Sequence, residues 1–322
     1  MVGTNRDDQT MLRITYSNLR WMLVLLPAVL FVVTILPAIY TGSLETSISA
    51  YYGGPVRDVF VGVLVAVAVV LVAYQGSTTF EDYNLNGAGF YAVFVAFVPA
   101  GLDRILDDLR QAALLSPDGV GPVEFVWSLR FSLTTVVLLC GLLVGLEIRR
   151  TERVRTLVRG DRVTLFFVLL TGGTLLAFLA LAMWQLWVPP AHEVRLGGIE
   201  LSGLPLIGDL QLTIHDLAAI FLISALAVVV WSHAWPHAVA RSAGEQLDPD
   251  EMARRRGYQV IFALMLAGPL VSWAVARAFA PGHFVIFLEW WEIGLFCIFW
   301  VLETRRLNHR DNGLGAQTAH AG

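Results

Sequence analysis

Long apolar runs separated by short polar connections make up most of the chain. A helix rising ~1.5 Å per residue needs about 20 apolar residues to cross the hydrocarbon core of a bilayer. Eight stretches meet that requirement, roughly 20–41, 57–75, 87–102, 124–147, 163–187, 212–235, 258–280 and 284–302. The third is the shortest, and Pro99-Ala100-Gly101 interrupts its end. The first follows Arg13 and Arg20, as the apolar region of a signal peptide would. It is longer than such a region and contains Pro27 and Pro37, so it reads as a retained helix. Cleavage after Thr46-Ser47-Ile48-Ser49-Ala50 is the alternative.

The pattern predicts an all-α polytopic transmembrane bundle of about eight helices. Residues 1–19 form a cytoplasmic N-terminal segment and 20–147 a first half of four helices. A basic loop follows at 148–162, then a second half at 163–302 and a disordered tail at 303–322. A parallel repeat of the two halves is one reading, because Arg57-Asp58 and His215-Asp216 lead into corresponding helices. Coincidence is the other.

The connections carry further patterns. Between Leu102 and Leu115, apolar residues at helical spacing oppose Asp103, Arg104, Asp107, Asp108 and Arg110, which predicts an interfacial amphipathic helix or an extension of the third span. Residues 192–201 alternate around Gly197-Gly198, which predicts a small hairpin turning there. Gln75 to Gly87 reads as a loop carrying Glu81-Asp82. The segment from Thr46 to Pro55 reads as a lid or as an interfacial anchor.

Charge adds orientation. All 22 basic residues are arginine. With the N-terminus inside, sixteen fall on the cytoplasmic side, including six between Arg149 and Arg162 and the run Arg254-Arg255-Arg256. That predicts both termini on the cytoplasmic side of the membrane. Composition agrees: 56% of residues are hydrophobic, 15% are charged and the mean hydropathy is +0.65.

Several chemistries are excluded or disfavoured. Without lysine there is no Schiff base and no phosphate-binding G-x-x-x-x-G-K-[ST] loop. No G-x-S-x-G occurs. Cys140 and Cys297 both lie in apolar runs, which argues against a disulfide or thiolate site. No basic tract interleaved with aromatics points to nucleic acid. No cofactor is expected, and membrane lipids are the expected partners, with an unidentified small ligand or protein as a further one.

Ionisable residues inside a bilayer cost roughly 2.5–3.5 kcal/mol each on insertion scales, so each needs an explanation. Glu289 and Glu292 lie in the last span, on nearly the same face. Arg277 approaches Glu289 across the short turn Pro281-Gly282-His283, predicting an ion pair, and Arg130 is the second candidate partner. His215, Asp216, Arg57 and Asp58 enter their helices on the same outer side. Together these eight residues suggest an outward-facing polar cavity for a ligand. Buried ion pairs that fix helix registry are the other reading. His215, Asp216, His283 and Glu289 are a weaker candidate zinc set, lacking any tight spacing. His233 and His237 fit an aromatic interfacial belt with Trp231 and Trp235.

Ser47-Ile48-Ser49-Ala50-Tyr51-Tyr52 with Pro55, Arg57-Asp58, Phe60 and Gly62 resembles the first outer loop of uncharacterised bacterial membrane proteins related to the Frag/DRAM-type group. Glu81-Asp82 with Asn84, Asn86, Ala88 and Gly89 is similar to the same group. So is Glu289-Trp290 with Phe299-Trp300 and Glu303-Thr304. The resemblance covers the first three spans and the last, and members usually have fewer spans. It implies a multi-pass protein linked to lipid or membrane homeostasis, without an assigned reaction. Three functions follow as expectations. The first is a non-enzymatic sensor or accessory factor that binds a lipid or small amphiphile. The second is a small proton-coupled transporter using Glu289 and Glu292. The third is an intramembrane metal-dependent lipid hydrolase.

Overall fold

A computed structural model describes residues 6–53, 55–76, 78–115, 121–150, 162–190, 196–204, 208–235 and 249–320. The described chain is almost wholly helical. Its helices are α1 (Arg6–Thr41), α2 (Pro55–Ala73), α3 (Thr79–Phe97), α4 (Leu102–Leu115) and α5 (Pro122–Arg150). They continue as α6 (Arg162–Trp187), α7 (Ile214–Ala234), α8 (Pro249–Phe279) and α9 (Phe284–His320). A short 3₁₀ helix covers Ile48–Gly53, and strands β1 (Ile199–Leu204) and β2 (Gly208–Leu212) form an antiparallel pair. Among the described residues eight helical stretches are long and apolar enough to cross a membrane, each overlapping one of the predicted spans. The protein is a multi-pass, all-α membrane protein.

Three boundaries differ from expectation. The third span begins near Phe80 rather than Gly87, so Glu81 and Asp82 belong to the first turn of α3. The cause is a cap: Thr78 Oγ1 accepts the Glu81 N–H at 3.1 Å, as in the T-x-x-E start of a helix. The hairpin forms, but β1 runs from Ile199 and β2 returns from Gly208, so the chain reverses after Leu204 and not at Gly197-Gly198. Gly198 has φ +67°, and a Cβ there would collide with the Leu212 carbonyl. The glycine is needed for that close approach. The segment 192–195 lies outside the described residues. Finally, α9 continues to His320 where a disordered tail is expected. No proline follows Phe284 to stop a helix already nucleated in the span.

The fourth helix matches its predicted face. Leu102 and Leu106 are buried while Asp103, Arg104, Asp107, Asp108 and Arg110 are exposed. Gly101, with φ +69°, supplies the left-handed residue that separates α4 from α3.

The chain groups into two compact units, residues 1–89 with 223–322, and residues 90–222. The basic loop 148–162, expected to divide two halves, falls within the second of these and lies mostly outside the described residues. In the first unit α9 packs against α1 and α8, and α1 also packs against α2. The turn between α8 and α9 places Gly282 at φ +92°. Leu23, Leu71, Phe299 and Trp300 are among its fully buried side chains. In the second unit Tyr91, Phe94, Phe178 and Phe221 stack edge to face.

Candidate functional site

Four of the eight candidate site residues are occupied at helix ends. Arg130 is buried, and its Nε donates to Leu186 O at 2.8 Å and Nη2 to Pro189 O at 2.6 Å. Those carbonyls belong to the end of α6 and the residues just after it. The guanidinium caps them and rests over Trp127 and Trp187. Asp216 Oδ2 accepts from Thr213 N and Thr213 Oγ1, and Thr213 Oγ1 accepts from Asp216 N, a reciprocal cap on α7. His215 Nδ1 is 2.7 Å from Val98 O. Glu289 Oε2 accepts the Ile48 N–H at 2.6 Å and so caps the 3₁₀ helix.

That bond corrects one expectation. Arg277 is exposed and makes no ion pair with Glu289 among the described residues. Thr46 and Leu44 drape over the start of α9: Ile286 N donates to Thr46 O, and His283 Nε2 lies 2.9 Å from Leu44 O. Arg57 and Asp58 are exposed in the first turn of α2. Among the described residues no three His, Cys, Asp or Glu side chains are grouped as a metal ion requires.

A different set of polar residues is buried together in the first unit. His233, near the end of α7, places Nε2 3.0 Å from Glu81 Oε1 and Nδ1 3.9 Å from Glu303 Oε2. Glu303 also accepts from Tyr258 OH at 2.8 Å and pairs with Arg306 one turn along α9. Glu81 and Glu303 are each 1% exposed and His233 is 7% exposed. The imidazole is walled by the rings of Tyr258 and Phe299, with centroids at 5.3 and 5.5 Å. Four helices thus each supply one group: Glu81 from α3, His233 from α7, Tyr258 from α8 and Glu303 from α9.

Local structure positions each member. The Thr78 cap fixes the first turn of α3 and frees Glu81 to turn inward. Asp82 Oδ1 accepts the Gly76 N–H, tying the α2–α3 connection to the same turn. A Cβ at Gly76 would lie 2.7 Å from Glu81 Oε2, so any larger residue there pushes on that carboxylate. Tyr74 closes the neighbouring side, edge-on to Trp300 at 4.9 Å. Burial pushes its phenol well above the ordinary value, Glu303 and Glu81 push the same way, and Arg20 opposes them. Arg20 is itself buried in α1.

This network was not singled out from the sequence. Glu81 reads as a loop acid until the Thr78 cap moves the helix start. His233 reads as a belt residue. The pairing of Glu303 with Arg306 at i, i+3 is the one local signal of the site. Glu81 and His233 are 152 positions apart, beyond any local pattern.

Glu292, a predicted site residue, is 6% exposed, and its Oε2 has no hydrogen-bond partner among the described residues. It faces Gly268 of α8, where a Cβ would stand 2.6 Å from Glu292 Oε1.

Compared with protein-family models, with curated proteins and with solved structures, the chain has no match.

Proposed function

We propose that the protein is a small proton-coupled membrane carrier whose coupling proton is exchanged at the Glu81–His233–Glu303 network. The observation that carries this reading is an imidazole held between two buried carboxylates at one end of an apolar helix bundle. Imidazole gains or loses its charge near neutral pH. In water that change is screened, but here water is excluded and the field of the change falls on Glu81, Glu303, Tyr258 and Arg306. Such a group is costly to maintain within a membrane protein unless its charge state is used. The carboxylates retain the proton, Tyr258 and Arg306 hold Glu303 in place, and the aromatic walls limit leakage.

The arginine distribution supports a cytoplasmic position for this end of the bundle. A lipid- or amphiphile-binding sensor draws less support, since Arg130, Asp216, His215 and Glu289 each have a local partner at a helix end.

The test uses purified full-length protein. Proton uptake is measured after a pH jump between about pH 8 and 5, and proton flux in proteoliposomes under an imposed gradient. Wild type takes up a proton that His233→Gln does not, and flux falls at least tenfold in His233→Gln and Glu303→Gln. Equal uptake and equal flux in folded wild type and His233→Gln would refute the proposal.

A further inference from the structure

Glu292 lies within the span Phe284–Leu307, about 12 Å from its Phe284 end by helical rise. Its carboxyl group is buried and Oε2 meets no donor among the described residues. The Oγ of Ser272, one turn beyond Gly268 on α8, is likewise buried without a partner. The charged residues of every packed element are far along the chain. On α1 none occurs between Arg20 and Thr41, and on α8 none between Arg256 and Arg277. Those of α2, Arg57 and Asp58, are exposed. On α9 itself, Glu289 holds Ile48 N and Cys297 donates to Val24 O at 3.4 Å. Glu303 stands about three helical turns away on the same face.

An ionised carboxylate buried there meets no counter-charge among the described residues, and a buried charge so placed neutralises itself by taking up a proton. Glu292 Oε1 already fills the notch at Gly268, and Trp291 seals its flank, with Nε1 donating to Leu264 O at 2.9 Å. The next residue of α8, Pro269, lacks an N–H, so the carbonyl one turn before it loses its helical donor.

We propose that Glu292 is a proton-binding site of the membrane interior, a carboxylic acid whose proton exchanges with the medium through the α8–α9 seam. It goes beyond the His233 network and does not require that network to be a coupling site. If both hold, α9 carries two proton stations on one face, Glu303 at the mouth and Glu292 about 16 Å further in by helical rise.

Dicyclohexylcarbodiimide tests it, because this apolar reagent partitions into membranes and reacts with protonated carboxyl groups. The acid O–H adds across one C=N bond, its proton going to nitrogen and its oxygen to carbon, and the adduct rearranges to a stable N-acylurea. Peptide mass spectrometry of the full chain in proteoliposomes then locates the label. The expected result is one reagent per chain on Glu292, at least fivefold less at alkaline than at acid pH. Labelling is lost in Glu292→Gln and reduced in Gly268→Ala, which crowds the carboxyl while leaving the acid present. It is retained in His233→Gln, so failure of the network reading and failure of this one give different results. A label on other carboxyls that Glu292→Gln leaves unchanged overturns the proposal. So does a wild-type infrared spectrum whose protonated-carboxyl band is the same in folded Glu292→Gln.

Discussion

Replacing His233 with alanine deprives Glu81 of the imidazole 3.0 Å away and Glu303 of the one 3.9 Å away. With the imidazole protonated and an effective dielectric constant of about 20, the gross attractions are ~5 and ~4 kcal/mol. Desolvation of three groups offsets most of this in the intact protein. It is not recovered when one partner is removed, and deleting one member of a buried pair costs about 3–5 kcal/mol. The ring contacts with Tyr258 and Phe299 add about 1 kcal/mol between them. The expected loss is therefore about 5 kcal/mol, which for a chain of this size lowers the melting temperature by about 10 °C. Thermal unfolding of the detergent-solubilised protein, followed by tryptophan fluorescence, reads it. A double-mutant cycle with Glu81→Gln isolates the pair. The combined variant should lose less than the sum of the singles by about 1–3 kcal/mol, since Glu81 no longer demands a donor. Additive losses, or a His233→Ala protein that melts with wild type, would show that the buried network contributes no coupling and refute the electrostatic reasoning.

Three further outcomes follow from the geometry. Gly76→Ala drives a methyl into the Glu81 carboxylate and should cost about 1–3 kcal/mol in a thermal melt, a cost that disappears in a Glu81→Ala background. Arg130→Ala removes two charge-assisted bonds to the end of α6 and should destabilise by about 2–4 kcal/mol without altering proton uptake; Arg130→Lys recovers only part, because an ammonium cannot reproduce the fork. Tyr74 should stay un-ionised in the folded protein above pH 10, its unfolded value. A folded pKa raised above the unfolded one means stability that is complete below pH 10 and is lost as pH rises beyond it. Ultraviolet titration of wild type against Tyr74→Phe should show the Tyr74 phenol ionising only on unfolding, and Tyr74→Phe should resist alkali better than wild type.

The membrane spans were legible because hydropathy over about 20 residues is a local property, set by the chain before any packing. The amphipathic face of α4 was legible for the same reason: its period is written in consecutive residues. The start of α3 was misplaced because an acid reads as solvated unless its cap is weighed against it. Thr78 was the available clue. Arg130, Asp216 and Glu289 stand out in the sequence as polar residues near spans. Their occupation of helix ends, however, depends on which carbonyl or N–H comes within 3 Å.

The sequence by itself thus determined how many helices can cross a bilayer and which acids and bases travel with them. Only the tertiary structure decided their partners. Glu81, His233 and Glu303 come from three distant segments, and burial turns them from ordinary polar residues into one electrostatic unit. The same burial leaves Glu292 without a counter-charge among the described residues. The physical reason is common to both cases: the energy of a charge depends on what replaces its water, and that replacement is supplied by residues remote in the chain.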